Sequence, residues 1–149
     1  MEMISGSCRF GLWYVHVWSK GDIIFRIRFS PTPLEGPAHP KIVKFLAGRN
    51  EDLSSLHSVG TDQDYQYSSI YREVRRINYG ETQTYGEVAR KTGTSPRLVG
   101  LALKRNPTPL VIPCHRVVSV SGIGGFSPSV DIKESLLRLE KKNKRRLIK

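Results

Sequence analysis

Residues 84–104 read TYGEVARKTGTSPRLVGLALK, and they contain the strongest local structural pattern in the chain. Thr84 and Glu87 form a capping box, in which each side chain accepts a hydrogen bond from the backbone N–H of the other residue. The box predicts a helix over Tyr85–Thr92. Gly93 ends this helix, because glycine readily adopts the left-handed conformation that closes a helix.

A second helix begins shortly after that glycine. Ser95 can cap it and Pro96 suits its first position, so we predict a helix over Pro96–Lys104. Two short helices joined by a tight turn resemble the helix-turn-helix of DNA-binding proteins, whose second helix enters a groove with its N-terminal residues nearest the bases. Arg97 would then face the DNA. An ordinary helical hairpin would produce the same pattern.

The charge of the chain favours DNA binding over the plain hairpin. The 149 residues include 24 Lys and Arg against 13 Asp and Glu, a formal net charge of +11. Residues 61–149 carry +9 of this excess, and residues 1–60 carry only +2. Basic side chains that meet phosphates release condensed counterions, so such a surface typically binds a polyanion. The sequence therefore predicts a nucleic-acid partner.

The first part of the chain predicts a small scaffold of strands and one helix. Phe10–Trp18 and Ile23–Phe29 are rich in β-branched and aromatic residues and form a predicted hairpin. Alternation in the second strand places its odd-numbered residues on the buried face. A short helix is predicted over Lys41–Ala47. Patterning is weak after this helix, and we place a boundary between a domain at 1–62 and another at 63–149.

The second part predicts mainly helices. Helical spacing of apolar residues begins at Ser68, and Leu110–Ile112 is predicted to form a short buried strand or extended segment. A final helix is predicted over Ser129–Glu140. The basic run Lys141–Arg146 beyond it is typical of a frayed, solvated tail. Strands followed by helices place the chain in the α+β class.

Composition disfavours several classes of protein. No apolar stretch is long enough to span a bilayer and the polar start lacks a signal-peptide core, so we expect a cytoplasmic protein with no membrane partner. The two cysteines, Cys8 and Cys114, could form at most one disulfide, and a chain of this size does not need it. The cysteines and histidines lack the ligand spacings of zinc sites, so we expect no metal.

Cys114 lies in the segment with the most distinctive chemistry. It is preceded by Pro113 and followed by His115 and Arg116. Basic neighbours lower the pKa of a thiol, and the thiolate is the form that attacks an electrophilic carbon. Adjacent residues of an extended chain point to opposite sides, so cooperation of Cys114 with His115 requires a turn here. The alternative is an inert core cysteine.

The run NPTPLVIPCHRVV at residues 106–118 resembles the active-site signature of the O6-alkylguanine-DNA alkyltransferases, also called methylated-DNA–protein-cysteine methyltransferases. Four further segments resemble the same family: Gly80–Tyr85, Arg97–Gly100, Gly122–Ser127 and Lys133–Glu140. The resemblance implies direct reversal of DNA damage, in which an alkyl group on guanine O6 moves irreversibly to the cysteine. It also implies that no cofactor is needed, because the protein itself is consumed.

The family's catalytic roles imply a relay behind the thiol. Cys114 would accept the alkyl group, His115 would act on it as a base through a water molecule, and Glu140 would orient the histidine. Without the resemblance, Glu140 would be interpreted as a solvated residue at a helix end.

Three further residues would assist the reaction. The resemblance implies that Tyr85 donates a hydrogen bond to N3 of the leaving guanine and that Asn106 ties the recognition helix to the active-site turn. Lys133 would stabilise developing charge. Each of these would otherwise be interpreted as a surface or capping residue, and Tyr85 also as packing at a helix start.

The damaged nucleotide must leave the base stack to react, and the resemblance implies which residues assist this step. Arg97 matches the arginine that fills the resulting gap in the duplex. Further DNA contacts are expected from four residues: Thr94, Ser95, Arg105 and Arg116. The carbonyls of Cys114 and Val117 would accept hydrogen bonds from the guanine amine. The Ser127 backbone would contact O6, and Phe126 would complete the base site.

The implied architecture is a small N-terminal α/β domain of the ribonuclease-like kind followed by a helical, winged-helix-like DNA-binding domain. The protein would act as a monomer on duplex DNA. Two departures from the family pattern bear on the mobility of the substrate loop and on the size of the adducts it accepts. Phe126 replaces a tyrosine of many members, and Pro128–Ser129 replace a small or flexible pair.

Three other functions fit parts of the sequence. Alkyltransferase-like proteins bind alkylguanine without transfer, but they replace the acceptor cysteine, which is present here as Cys114. A helix-turn-helix regulator would bind one DNA sequence and would not become alkylated. A thiol hydrolase would turn over and usually needs a more distant histidine. The adjacent Cys114 and His115, together with the helix pair, favour alkyl transfer.

Overall fold

A computed structural model describes residues 1–49 and 52–148, with side chains described up to residue 144. The chain combines strands and helices, as expected for the α+β class. The strands are β1 (Ile4–Phe10), β2 (Trp13–Lys20), β3 (Ile23–Ser30), β4 (His57–Ser58), β5 (Gln83–Thr84) and β6 (Val117–Val118). The helices are α1 (Pro40–Leu46), α2 (Ser68–Val74), α3 (Tyr85–Thr92), α4 (Pro96–Lys104) and α5 (Val130–Ile148). Among the described residues, no helix has the length and apolar character needed to cross a membrane.

The N-terminal sheet has the strand order β1-β2-β3-β4, with β3 and β4 parallel and the other pairs antiparallel. The predicted hairpin is the β2–β3 pair, but the prediction of one strand over Phe10–Trp18 is wrong. The chain reverses at Gly11, which has a φ of +62°, and an additional strand, β1, precedes it. Only three of its seven residues are exposed, but its apolar residues do not alternate with polar ones, so pairing with β2 forms this strand without a hydrophobic pattern that the sequence could reveal.

The alternation predicted for β3 is also partly wrong. Ile24 and Ile27 are buried, whereas Ile23 is exposed. The register with β2 shifts between Trp18 and Ser19, which leaves Phe25 as the extra residue of a β-bulge. Because side chains alternate with a period of two, one extra residue moves every residue on one side of the bulge to the other face.

The buried apolar side chains form two clusters, and the segment before Cys114 contributes to both. The first cluster joins the N-terminal sheet and α1 to Leu110, Val111 and two residues of α5. The second joins α2, α3 and α4 to Ile112 and Val117. The cysteine turn is therefore held between two packed cores.

The helix pair is confirmed with the predicted bounds. Both hydrogen bonds of the Thr84–Glu87 capping box are present, and Gly93 closes α3 with a φ of +67°. The Ser95 hydroxyl caps α4 by accepting a hydrogen bond from the Leu98 N–H. α3 and α4 also pack against each other.

Two predictions near the C-terminal half need correction. Leu110–Ile112 is buried but forms a tight turn, in which Leu110 adopts a φ of +80°, so it is not a strand. The basic run is not a frayed tail, because α5 continues through it to Ile148. Asn143 explains the extension: it is buried, and its amide donates to the Gly48 carbonyl and to the Tyr79 hydroxyl.

Candidate active site

The predicted turn at the cysteine is confirmed, because Cys114–Arg116 form one turn of 3₁₀ helix. The loop leading into this turn is held by both ends of the Asn106 amide. Its Nδ2 donates to the Ile112 carbonyl at 2.9 Å, and its Oδ1 accepts from the Thr108 N–H at 2.9 Å. Asn106 lies two residues after the end of α4, so these bonds connect that helix to the cysteine turn.

Cys114 is only 7% exposed. Burial raises the pKa of its thiol to about 11, although a hydrogen bond from the Asn106 side chain and the positive charge of Lys133 both act to lower it. The resting residue is therefore a protonated thiol at neutral pH. Because the thiolate is the nucleophile, a reaction at this sulfur needs a base close by.

The adjacent His115 is completely buried and has the properties of such a base. Its Nε2 lies 2.6 Å from Oε2 of Glu140. A carboxylate only accepts hydrogen bonds, so the neutral ring carries its hydrogen on Nε2 and leaves Nδ1 as the basic nitrogen. Nδ1 has no hydrogen-bond partner among the described residues. Burial lowers the pKa of His115 despite the opposing effect of Glu140, so the ring is uncharged at neutral pH.

Glu140 is 1% exposed, which excludes its interpretation as a solvated helix end. Its carboxylate accepts hydrogen bonds from His115, from the Gly80 N–H at 3.0 Å and from the Arg116 guanidinium. Burial alone would raise the pKa of Glu140, but the hydrogen bonds from His115 and Arg116 and the positive charge of Arg116 outweigh it and bring this pKa to about 2. The residue is therefore a permanent anion that fixes the histidine ring.

Arg116 completes this buried network, and the prediction that it contacts DNA is wrong. Its Nε and Nη2 each donate to Glu140 at 2.9 Å, and its Nη1 donates to the Ile77 carbonyl at 2.7 Å. The guanidinium also lies over the Tyr79 ring, 5.5 Å from its centroid. A side chain that is buried and bonded in this way cannot reach a phosphate.

A pocket of about 250 Å³ opens onto Cys114. Its walls come from α3, α4, the 106–114 loop and the glycine-containing loop before α5, through ten residues: Tyr85, Gly100, Leu103, Lys104, Asn106, Pro109, Cys114, Gly125, Phe126 and Ser127. Burial raises the pKa of Tyr85, so its hydroxyl stays protonated and can donate a hydrogen bond. Gly124 packs against this hydroxyl so closely that a Cβ there would lie 2.9 Å from it.

Lys133 is fully buried next to this pocket. Its ammonium donates to the Val117 carbonyl at 2.6 Å and to the Gly125 carbonyl at 3.3 Å, and lies 5.8 Å from the centroid of the Tyr85 ring. Burial lowers the pKa of Lys133 to about 8, against the opposing effect of Cys114. One lone pair of the Val117 carbonyl is thus already used, and only its second lone pair is available to a substrate.

The N-terminal sheet supports one wall of the pocket. Phe126 packs edge-on against Phe29 of β3, with 5.7 Å between the ring centroids. Ser127 follows Phe126 on the same wall and is exposed. The loop before α5 is therefore anchored to the first cluster at Phe126.

The predicted DNA-contacting residues of the helix pair lie in two places. Arg97 is exposed in the first turn of α4, and Gly100, one turn later on the same face, lines the pocket. Thr94 and Ser95 are near this end, where their hydroxyls make local hydrogen bonds. Arg105 is exposed at the opposite end of the helix. The pocket opens between the two groups.

Sequence reasoning missed several pocket residues. Gly100 and Lys104 follow Arg97 at helical spacing, and this spacing could have placed them on the face that lines the pocket. Pro109 and Gly125 carry no comparable pattern, because their positions depend on how the two loops fold. Among the described residues, no group of three or more His, Cys, Asp or Glu side chains could hold a metal ion.

Comparison with known proteins relates this geometry to a family. Residues 66–142 match the family model of the 6-O-methylguanine DNA methyltransferase, DNA-binding domain. The match covers half of the chain, including the helix pair, the cysteine turn and the buried Glu140. This chain belongs to that family. The family match and the buried network therefore coincide in the same segment.

Individual members of the 6-O-methylguanine DNA methyltransferase family show the same relationship. The methylated-DNA–protein-cysteine methyltransferase of Metallosphaera sedula is 54% identical over 100 residues, which are 67% of this chain and 64% of that protein. The protein of the same name from Sulfolobus acidocaldarius is 49% identical over 80 residues, 54% of this chain and 52% of that protein. The matched segments thus span half to two thirds of these curated relatives.

Solved structures of the family extend the similarity to nearly the whole fold. The O6-methylguanine methyltransferase of Mycobacterium tuberculosis superposes with a TM-score of 0.73 at 26% identity, covering 95% of this chain and 94% of that one. The structure of the Mycobacterium tuberculosis protein in complex with DNA gives a TM-score of 0.73 at 26% identity, covering 92% of each chain.

Proposed function

We propose that this chain repairs DNA by transferring an alkyl group, such as methyl, from O6 of guanine in duplex DNA to Cys114. The observation that carries the proposal is the position of Cys114, which lies at a pocket of about 250 Å³ with the buried His115–Glu140 pair directly behind it. Membership of the 6-O-methylguanine DNA methyltransferase family supports it. Each protein molecule reacts once, because the product is a stable thioether.

The proposed reaction begins with removal of the thiol proton. Glu140 holds the Nε2 hydrogen of His115, so Nδ1 takes the proton of Cys114 through a water molecule. The thiolate then attacks the alkyl carbon, forming an S–C bond while the bond from that carbon to O6 breaks. The guanine leaves with the electron pair and takes up one proton. The atoms balance without a cofactor or co-reactant.

Three neighbours would help this step. Tyr85 donates toward guanine N3 as negative charge develops there, and its raised pKa keeps it a donor. Lys133 places a positive charge near both Tyr85 and the thiol. Asn106 positions the cysteine turn relative to α4 and donates a hydrogen bond that favours the thiolate.

The base site would combine backbone and aromatic contacts. The carbonyls of Cys114 and Val117 each keep one free lone pair for the guanine amine, because the Val117 N–H and Lys133 use the others. The Ser127 backbone would contact O6, and Phe126 would close the wall that Phe29 supports.

Access to the pocket requires that the nucleotide leave the duplex. Arg97 would occupy the vacated space, since it is exposed one helical turn from Gly100 at the pocket. A guanidinium is planar, so it can stack between bases and hydrogen-bond to the unpaired cytosine. Thr94 and Ser95 would contact the DNA near the same end of α4, and Arg105 near the other.

We also propose how the two parts of the chain fold. We assign residues 1–62 to an α/β domain of the ribonuclease-like kind and residues 63–149 to a winged-helix-like domain that binds DNA. The four-stranded sheet with α1 supports the first assignment, and the α3–α4 pair supports the second. The protein would act as a monomer in the cytoplasm.

The experiment that tests this function is the intact mass of the protein after incubation with a duplex that contains one O6-methylguanine. The proposal predicts a gain of one methyl group in place of one hydrogen, saturating at one per protein and confined to the Cys114 peptide. The Cys8→Ser variant should gain the same mass, because Cys8 lies in β1 away from the pocket. Tight binding to the lesion without a mass change would instead identify a lesion sensor.

A further inference from the structure

We propose that a groove next to the reaction pocket is a second DNA-binding surface, which binds phosphates of the duplex on one side of the damaged nucleotide. This basic groove has a volume of about 550 Å³ and is lined by residues of β3, the end of α4 and the loops beside them. Its cations are Arg26, Arg28, Lys104 and Arg105. The inference rests on the proposed function, because it assumes that the reaction pocket receives its base from duplex DNA.

The basic groove has no acidic side chain in its lining among the described residues. The lining contributed by residues 1–49 and 52–148 includes these four cations and no Asp or Glu. All four are exposed, and no ion pair within 4.0 Å involves any of them in the part of the chain that the structure describes. Unpaired exposed cations grouped in a concave surface create a strong positive potential, which favours a polyanion.

The basic groove continues directly from the reaction pocket. Four residues line both: Lys104, Asn106, Pro109 and Ser127. A strand whose nucleotide enters the pocket therefore passes the mouth of the basic groove. This continuity favours DNA as the occupant, because one DNA strand can fill the reaction pocket and the basic groove together. An acidic protein would contact only the basic groove.

The part of β3 that carries Arg26 and Arg28 is bonded to the active-site loop. Arg26 and Arg28 flank Ile27, whose backbone N–H donates to the Pro107 carbonyl at 2.9 Å. β4 pairs only with the first two residues of β3, so this part of β3 is free to bond to the loop. The guanidinium of Arg26 also lies over the Trp18 ring at 5.9 Å. The backbone that carries both arginines is thus bonded to the loop that leads into the cysteine turn.

The length of α4 sets how far these contacts lie from the lesion. Arg97 and Arg105 are eight residues apart, which is about 12 Å along a helix axis. One strand advances about 3.4 Å per nucleotide, so this distance corresponds to roughly three or four nucleotides. Arg97 acts at the flipped base, and the basic groove binds phosphates a few nucleotides away.

The test measures how salt affects binding to undamaged duplex DNA, using the Arg26→Gln/Arg28→Gln variant. Glutamine retains much of the side-chain length but removes the charge. Each lost phosphate contact reduces the slope of log K against log salt by about 0.9, so the slope should become less steep by about 1.8. The matched control is Lys44→Gln/Arg49→Gln, which removes two exposed cations of the same N-terminal part outside the groove.

The proposal predicts an unchanged slope for the control and an unchanged rate of alkyl transfer from the free O6-methylguanine base for both variants. An equal change of slope in both variants, or none in either, would overturn it and leave an acidic protein as the occupant to test. Failure of the wild-type protein to take up a methyl group would refute the proposed function instead. The salt measurement stays independent of that failure because it uses undamaged DNA.

Discussion

The charged side chains behind the pocket differ from those around its mouth in burial and in bonding. His115, Lys133 and Glu140 are at most 1% exposed, and each has a fixed polar partner. Arg97 and Arg105 are exposed and have no ion-pair partner among the described residues. The first group has defined positions and shifted pKa values, whereas the second keeps its charge available for a partner.

This difference separates chemistry from recognition. A substitution in the buried group should alter the reaction of Cys114 with any substrate, and it should also affect stability, because a buried charge loses its partner. A substitution in the exposed group should alter only steps that involve DNA.

The largest effect is expected for Cys114→Ser. Alkyl transfer should be lost completely, because a serine hydroxyl beside the same base ionises far less readily than a thiol. Affinity for a duplex containing O6-methylguanine should remain, since the exposed cations are unchanged. Fluorescence anisotropy measures the binding, and Cys8→Ser is the control that should retain both properties. Loss of binding in Cys114→Ser would show that the two groups are not separable.

Glu140→Gln should cause the next largest effect. The substitution leaves Arg116 buried without its anion, which typically costs about 3–5 kcal/mol of unfolding free energy. Transfer from DNA and from the free base should fall together, because His115 loses the partner that orients it. Urea unfolding measures the first effect, and Glu134→Gln on the exposed face of α5 is the matched control. Equal stability of the two variants would contradict the role of the buried network.

The same variant has a defined pH dependence. The pKa of Glu140 is about 2 in the folded protein against an ordinary value of 4.5, so its ionised form stabilises the fold above pH 4.5. This stabilisation is lost as the pH falls from about 4.5 toward 2. The difference in unfolding free energy between wild type and Glu140→Gln should therefore shrink over that range. A difference that stays constant would contradict the assigned ion pair.

A smaller effect is expected from the titration of Lys133, which should change the transfer rate and the folding stability in opposite directions. The pKa of Lys133 is about 8, so its positive charge, which favours the thiolate, is lost as the pH rises through 8. Alkyl transfer should then lose the part of its rate that this charge supports. Between about pH 8 and 10.5 the unfolded chain binds more protons at this lysine than the folded chain, so its contribution to folding stability rises. Lys133→Met should react more slowly and lose both dependences. Identical pH profiles for variant and wild type would exclude the role of Lys133.

The sequence predicts the elements whose stabilising interactions lie within a few residues along the chain. It misses those that depend on distant residues. The α3 and α4 helices were predicted with their observed bounds, because Thr84, Glu87 and Ser95 satisfy backbone groups within a few residues. The bulge at Phe25 and strand β1 were missed, since both depend on pairing with β2. The end of α5 was missed because Asn143 bonds to Gly48, 95 residues away in the chain.

The candidate site shows the same division. Cys114, His115 and Glu140 were assigned from the resemblance to the alkyltransferase family, and the structure brings the His115 and Glu140 side chains into contact. Arg116 is predicted to contact DNA, whereas its burial against Glu140 and Ile77 arises only from tertiary packing. Sequence thus indicates which groups are charged, but the fold decides which of them face a partner.

The most direct test of the division is the rate of alkyl transfer by Arg97→Ala and Glu140→Gln, each measured with methylated duplex and with free O6-methylguanine base. Extruding a base costs a few kcal/mol, so Arg97→Ala should slow the duplex reaction by about 10–100-fold and leave the free-base reaction unchanged. Glu140→Gln should slow both reactions by the same factor. Equal losses on both substrates for Arg97→Ala would contradict the account, because the exposed arginine would then act on the chemistry itself.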